Sequence, residues 1–345
     1  MRIWKTPFLA LLAVAGLIGC NGGGSETPTA NGTTGTASTN GGAKSYTIVV
    51  IPKGATHEYW RSVHEGANTA ASELKDVNID WEAPTKEDDR EMQIQIVENA
   101  INKKVDGIVL APLDAQALAK PVAEAGKAGI PVVIIDSGLK GDADFVSYIA
   151  TDNEKGGMKA ADELSKALNG KGNVVMLRYE EGSASTEDRE KGFLEEIAKS
   201  PGIKVVSSDQ HGGVTADSAM KASENLLAPH KKGDGLDIDG IYTPNESTTT
   251  GMLRALEELK VAGKVKLVGF DASEALLNGL KSGEIDGLII QNPRKMGYNG
   301  VKTLEAYIKG DKGQAKTVDT GATLLTKDKL SDPEIQKLIA PPTVQ

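Results

Sequence analysis

Polar and aromatic side chains gather where short β-branched runs end. Pro52-Lys53 follows Tyr46 to Ile51, with Tyr59-Trp60 a few residues on. Asp136 follows Val132 to Ile135, Pro244-Asn245-Glu246 follows Gly240 to Thr243, Asp271 follows Phe270, and Gln291 follows Ile290. In open parallel sheets, ligands bind outside the carboxyl ends of the strands, so a site is expected at these positions. Carboxylates accept from vicinal hydroxyls, amides both donate and accept, and aromatic faces pack on the apolar C–H face of a sugar ring. The set therefore suits a neutral polyhydroxylated ligand, with a sugar as the natural candidate. Capping of the next helix would by itself account for Asp136 and Asn245. It does not account for Gln291, since Asn292-Pro293 already supplies a helix start and Gln caps weakly. Adjacent positions on a helix point about 100° apart, which sends Trp60 toward the core and Tyr59 toward the crevice.

Other chemistries lack their usual signatures. The chain has no glycine-rich phosphate fingerprint, no Gly-x-Ser-x-Gly elbow and no His-Glu-x-x-His. His57 and His64 are seven residues apart on an expected helix, about 10 Å along its axis and too far to share one metal. Solvated or hydrogen-bonded histidines are expected instead. Asp136 and Asp271 could act as the acid and base of glycoside hydrolysis, but nothing further in the sequence supports that pairing. No catalytic residue, metal or cofactor is expected.

The elements that must hold these residues alternate strand and helix. Tyr46 to Ile51 reads as a strand and Glu58 to Leu74 as a helix with Trp60, Val63, Ala67, Ala71 and Leu74 on its buried stripe. Strands at Val77 to Trp81, Asp106 to Leu110 and Pro131 to Ile135 follow, separated by helices at Asp88 to Lys103 and Ala115 to Ala128. Beyond Phe145 to Thr151, a second series places strands at Asn173 to Leu177, Ile203 to Ser207, Gly240 to Thr243, Lys266 to Phe270 and Gly287 to Gln291. Continuous apolar runs such as Val132-Val133-Ile134-Ile135 lack polar alternation, which implies parallel strands buried on both faces and covered by helices on both sides. The fold class is α/β, with two doubly wound parallel-sheet lobes. A helix from Gly297 to Lys309 and a strand near Val318 to Leu324 have no evident place in the second sheet and are candidates to cross back to the first.

Composition agrees with two cores: of 345 residues, 39% are hydrophobic and 25% charged. The net charge of −9 is unbroken by any basic run, so nucleic acid is not an expected partner. Arg2 and Lys5 precede an apolar run from Phe8 to Ile18, too short to span a bilayer and suited to a secretory signal. Cys20, the single cysteine, follows Leu17-Ile18-Gly19 in a pattern that resembles the bacterial lipobox, which implies lipidation at Cys20 and an exported lipoprotein in the periplasm or cell envelope. Residues 21–44 are mostly Gly, Thr, Asn, Ala and Ser, a tether with an end-to-end distance of about 27 Å.

These residues carry a resemblance. The stretch from Tyr46 to about Leu325 resembles the ribose-type sugar-binding proteins of bacterial ABC transporters, the periplasmic binding protein type I fold. It does so through Tyr59-Trp60, Asp136, Thr151-Asp152-Asn153 leading to Gly156-Gly157, Arg189-Glu190-Lys191-Gly192-Phe193, Asn245, Val268-Gly269-Phe270-Asp271 and Gln291. The resemblance implies a monomer with three chain crossings at its hinge and a sugar between the lobes, delivered to a permease in the membrane. The expected organisation is a signal at 1–20, a tether at 21–44, an N-terminal lobe of 45–150 plus 292–316 and a C-terminal lobe of 151–291 plus 317–345. It also implies that Tyr59 and Trp60 sandwich the ring with Phe270 on its other side, that Asp136, Asn245 and Asp271 bind hydroxyls, and that Gln291 sits at a hinge.

Three positions depart from the ribose pattern. Ser137 and Glu187 stand where arginines are usual, and Ala111 where an asparagine is usual, leaving Arg178 and Arg189 as possible substitutes for the lost guanidinium. Lys53 resembles instead the rhamnose-binding and autoinducer-2-binding branch of the fold, although a solvated turn residue would look the same. The expected ligand is a pentose, hexose or deoxysugar, with an autoinducer-2-like or other polyol, and sensing in place of transport, as alternatives.

Overall fold

The computed structural model describes residues 44–343. The expected signal segment, Cys20 and all of the expected tether except Lys44 lie outside the described residues.

The first lobe is built on a six-stranded sheet. Its strands are β1 (Tyr46–Ile51), β2 (Val77–Trp81), β3 (Gly107–Leu110), β4 (Val132–Ile135), β5 (Ser147–Ala150) and, from much later in the chain, β13 (Thr317–Asp319), in the order β13-β5-β4-β3-β1-β2 and all parallel. The apolar runs are buried on both faces, as their lack of alternation requires. Ile48, Val50, Val109, Val133 and Ile135 face the helices α1 (Glu58–Leu74) and α9 (Pro293–Ile308), while Val49, Ile51, Ile108, Leu110, Val132 and Ile134 face α2 (Arg90–Lys103) and α3 (Ala119–Lys127).

The second lobe repeats the plan. Its sheet runs β14-β12-β11-β10-β6-β7, from β6 (Lys171–Met176), β7 (Gly202–Ser207), β10 (Gly240–Tyr242), β11 (Lys266–Phe270), β12 (Gly287–Ile290) and an antiparallel edge strand β14 (Thr323–Leu325). A short hairpin, β8 (Lys231–Lys232) with β9 (Gly235–Leu236), stands apart from it. One face packs on α4 (Asn153–Ala167) and α5 (Ala184–Ile197). The other packs on α6 (Ala216–Leu227), α7 (Glu246–Glu258), α8 (Glu274–Ser282) and Ile335 of α10 (Pro333–Leu338). In each lobe one helix pair meets backbone to backbone. A Cβ on Gly66 or Gly297 would strike the partner helix in the α1–α9 pair, and one on Gly157 or Gly192 would do so in the α4–α5 pair.

The chain passes between lobes after β5, after β12 and between β13 and β14. The last crossing corrects the expected boundary at 316: β13 pairs with β5, so the first lobe keeps the chain through Asp319. The apolar content of residues 317–325 does not distinguish one sheet edge from the other; strand pairing does. Thr151, at the first crossing, donates through Oγ1 to Gln291 Oε1 at the second (2.9 Å) and to the Gly321 carbonyl at the third (3.4 Å).

Candidate functional site

The strand ends of both lobes converge on a small cavity of about 30 Å³, and side chains of the two lobes bond to each other across it. It is lined by Lys53, His57, Tyr59, Trp60, Glu87 and Asp136 from the first lobe and by Tyr179, Ser185, Thr186, Arg189, Asn245 and Asp271 from the second, with Gln291 at the hinge. A larger open space of about 640 Å³ flanks it and shares Tyr59, Asp271 and Gln291. The other walls of that space mix charged side chains such as Arg61, Glu274 and Lys281 with apolar ones such as Leu277, Leu338 and Ile339, whereas the buried polar groups converge on the small cavity.

The first-lobe side of the cavity holds two charge pairs. Lys53 is 3% exposed, and its Nζ sits 3.2 Å from Asp136 Oδ2 while donating across the cleft to Ser183 and Ser185 (3.1 and 3.0 Å). The solvated reading of Lys53 is thereby excluded. Asp136 also accepts from the Tyr59 hydroxyl at 2.8 Å; no helix follows it, so capping does not explain it, and its backbone is left-handed at φ 61°. Burial and the negative charge of Asp136 push the Tyr59 phenol well above its usual range, so it remains a donor. The second pair is His57 Nδ1 to Glu87 at 2.6 Å. Burial opposes both charges, but each stabilises the other more strongly: the imidazole is raised to about 9, and the carboxyl, which Lys53 and Trp60 also favour, is held at about 2. Glu87 further accepts from Trp60 Nε1 (2.7 Å) and from the Tyr179 hydroxyl of the other lobe (2.8 Å). His57 precedes α1 rather than lying within it, and His64 instead stacks on Trp81. Among the described residues no His, Cys, Asp and Glu cluster could hold a metal.

The second-lobe side centres on one cation. Arg189, 2% exposed, donates to Asn153 Oδ1 (2.8 Å), the Pro244 carbonyl (3.0 Å) and Gln291 Oε1 (2.7 Å). A guanidinium has five N–H groups, so two remain for a ligand. Gln291 Nε2 donates to Asp271 Oδ1 (2.7 Å), whose other oxygen accepts the Glu246 backbone N–H (2.9 Å). Burial, with Asp136 adding repulsion, raises the Asp271 carboxyl despite the opposing Arg189 and Gln291. Asn245 does cap α7, through a reciprocal pair with Thr248, and lines the cavity as well.

Phe270 corrects an expectation. It is fully buried between the second sheet and α4–α5, with the Arg189 guanidinium 4.3 Å over its ring. Alternation along β11 sends its side chain away from the cavity, so it supports Arg189 and presents no face to a ligand. Trp60 and Tyr59 both line the cavity and meet edge to face at 4.9 Å, so the core-versus-crevice division between them is not strict. Arg178 points elsewhere, to Glu190 and the Ser208 carbonyl. Glu187 pairs with Lys140 near the surface.

Sequence reading missed His57, Glu87, Tyr179, Ser185 and Thr186 as cavity residues. Glu87 follows β2 by six residues, so the strand-end search extended to that loop would have reached it. Tyr179 likewise lies just past β6.

Residues 48–312 match the model of the periplasmic binding protein domain. The xylitol-binding protein of Mycolicibacterium smegmatis is 30% identical over 247 residues, covering 72% of this chain and 68% of that protein. Among solved structures, a carbohydrate transporter solute-binding protein from Agrobacterium radiobacter in complex with D-arabinose superposes with TM-score 0.80 at 38% identity, covering 86% of this chain and 99% of the other. An ABC transporter solute-binding protein from Agrobacterium vitis with bound D-fucose gives TM-score 0.80 at 32% identity, covering 85% and 99%. With two parallel-sheet lobes and three crossings around a closed polar cleft, this chain belongs to the periplasmic binding protein family.

Proposed function

We propose that this protein is the sugar-binding component of an ABC importer, taking a pentose, hexose or deoxysugar between its lobes and presenting the closed form to a membrane permease. The observation that carries this reading is the cleft itself: carboxylates, amides, a guanidinium with unused N–H groups and the rings of Tyr59, Trp60 and Tyr179 converge between lobes that meet through a hinge. The polyol and monosaccharides named for its relatives support the ligand class. Asp136 and Asp271 accept from ring hydroxyls, Arg189 and Lys53 donate to ring oxygens, Asn245 and Gln291 orient the ligand, and Tyr59 and Trp60 pack on its C–H face. Opening at the three crossings admits the sugar, and the bound sugar favours closure.

The role is one of binding without turnover. Asp136 is engaged by Lys53 and Tyr59, and Asp271 by Gln291 and the Glu246 N–H, which orients each carboxylate as an acceptor for sugar hydroxyls. A lipid on Cys20 would hold the monomeric body at the cell envelope.

A thermal-shift screen of the body against pentoses, hexoses, deoxysugars, cyclitols and autoinducer-2-like furanoses tests the reading. A ligand at 100 times its dissociation constant adds about 2.7 kcal/mol, several degrees in midpoint. A shift confined to one sugar class without product is expected. No shift, together with no sugar released on denaturation into a mass spectrometer, overturns it.

A further inference from the structure

Three helices begin at the cleft without a side-chain cap of their own. His57 before α1, Ser183 before α5 and Ser273 before α8 each occupy the N-cap position, and none donates its side chain to that role. Five other helices of the same lobes are capped locally, α2 by Asp89, α4 by Asp152, α6 by Thr215, α7 by Asn245 and α9 by Asn292, while α3, outside this set, starts at Leu118 with no side-chain cap.

The missing acceptors come from the opposite lobe. The first two N–H groups of α1, those of Glu58 and Tyr59, donate to Glu246 Oε1 and Oε2 of the second lobe, each at 3.1 Å. The Ser185 N–H of α5 donates to Ser137 Oγ of the first lobe at 2.9 Å. The first N–H of α8, that of Glu274, reaches Glu58 Oε2 of the first lobe at 3.4 Å. The local candidates are committed elsewhere or unused: His57 is turned to Glu87 and the Val214 carbonyl, and Ser183 accepts from Lys53. Orphan N–H groups at a helix start carry partial positive charge, which a carboxylate or hydroxyl oxygen satisfies.

We infer that lobe closure is secured by an exchange of helix caps across the cleft, with Glu246, Ser137 and Glu58 as positioning residues that set how tightly the closed form holds any ligand. None of the three lines the ligand cavity. Their contribution therefore enters the closing equilibrium and not the recognition of a particular sugar. Two of the helices they cap carry cavity residues at their first turns, Tyr59 on α1 and Ser185 and Thr186 on α5, so closure and the final placement of those side chains are one event.

The inference rests on the binding reading above, and the test separates the two. Affinities for a panel of sugars are measured for wild type, Glu246→Ala, Glu246→Gln and Ser137→Ala. Glu246→Ala is expected to weaken every bound sugar by one common factor, roughly tenfold, because a lost cap is felt in the closed state alone. Glu246→Gln keeps an acceptor oxygen and restores part of the loss, and Ser137→Ala costs a smaller common factor. Unchanged affinity in both alanine variants, or a change in the rank order of sugars, overturns the inference. If wild type binds no sugar, amide hydrogen exchange of the unliganded protein decides: faster exchange at Tyr59 in Glu246→Ala and at Ser185 in Ser137→Ala supports the cap exchange, and equal exchange overturns it.

Discussion

The two sides of the cleft hold their polar groups by different means. On the first lobe, Lys53–Asp136 and His57–Glu87 are two neighbouring buried ion pairs set on loops. On the second, a single cation, Arg189, is tied through neutral amides and a carbonyl to Gln291 and thence to Asp271, so the charge is spread along a hydrogen-bonded chain that ends at the hinge. A buried pair that loses one member leaves an uncompensated charge, whereas a chain that loses its terminal acceptor keeps its other bonds. The first-lobe side should therefore fail by losing stability and the second-lobe side by losing ligand.

The largest effect expected from this contrast is on Glu87→Ala, which strips the acceptor from His57, Trp60 and Tyr179 together. Loss of about 3–5 kcal/mol is expected, seen as a drop on the order of 10 °C in the unliganded melting temperature. A drop of only a degree or two would break the contrast.

Next comes the pH response of the same pair. His57 is raised from 6.5 to about 9, so its contribution is fully present below about 6.5 and is lost as pH rises through 9; Glu87 is lowered from 4.5 to about 2, so its contribution is present above about 4.5 and is lost as pH falls through 2. Unliganded stability should then be highest between about pH 4.5 and 6.5. The alkaline limb, on the order of 3 kcal/mol, should vanish in His57→Gln when denaturant midpoints are followed against pH.

On the second lobe, Asp271→Ala should weaken sugar binding about a hundredfold, near 2.7 kcal/mol by calorimetric titration, with a much smaller change in melting temperature than Glu87→Ala produces. Equal losses of stability in the two variants would erase the distinction between the sides. The smallest effect is expected for Asn245→Ala, which removes the α7 cap and costs about 1 kcal/mol of stability while also loosening the cavity wall.

Much of the frame was legible in the chain. The helix Glu58–Leu74 and the strands Tyr46–Ile51, Val77–Trp81 and Lys266–Phe270 fall where periodicity places them. Their apolar runs have only one way to be buried. The strand-end rule reached seven of the cavity residues, Lys53, Tyr59, Trp60, Asp136, Asn245, Asp271 and Gln291, and the family resemblance added Arg189. Phe270 was misplaced because the resemblance carries over a residue type at a position and not which face of the strand its side chain takes. Glu87 and His57 were passed over because a loop residue has no period, and a histidine beside a helix start does not announce its partner thirty residues away.

Local sequence determined the alternation of strands and helices, the burial of each sheet on both faces and the set of side chains available at the cleft, because each depends on neighbours within a few residues. Tertiary structure alone decided which carboxylate meets which cation, which sheet takes β13, and that Glu246, Ser137 and Glu58 cap helices of the opposite lobe. Those outcomes join residues from different segments and lobes, and the energy of a buried charge or an orphan N–H group is defined only once its distant partner is in place.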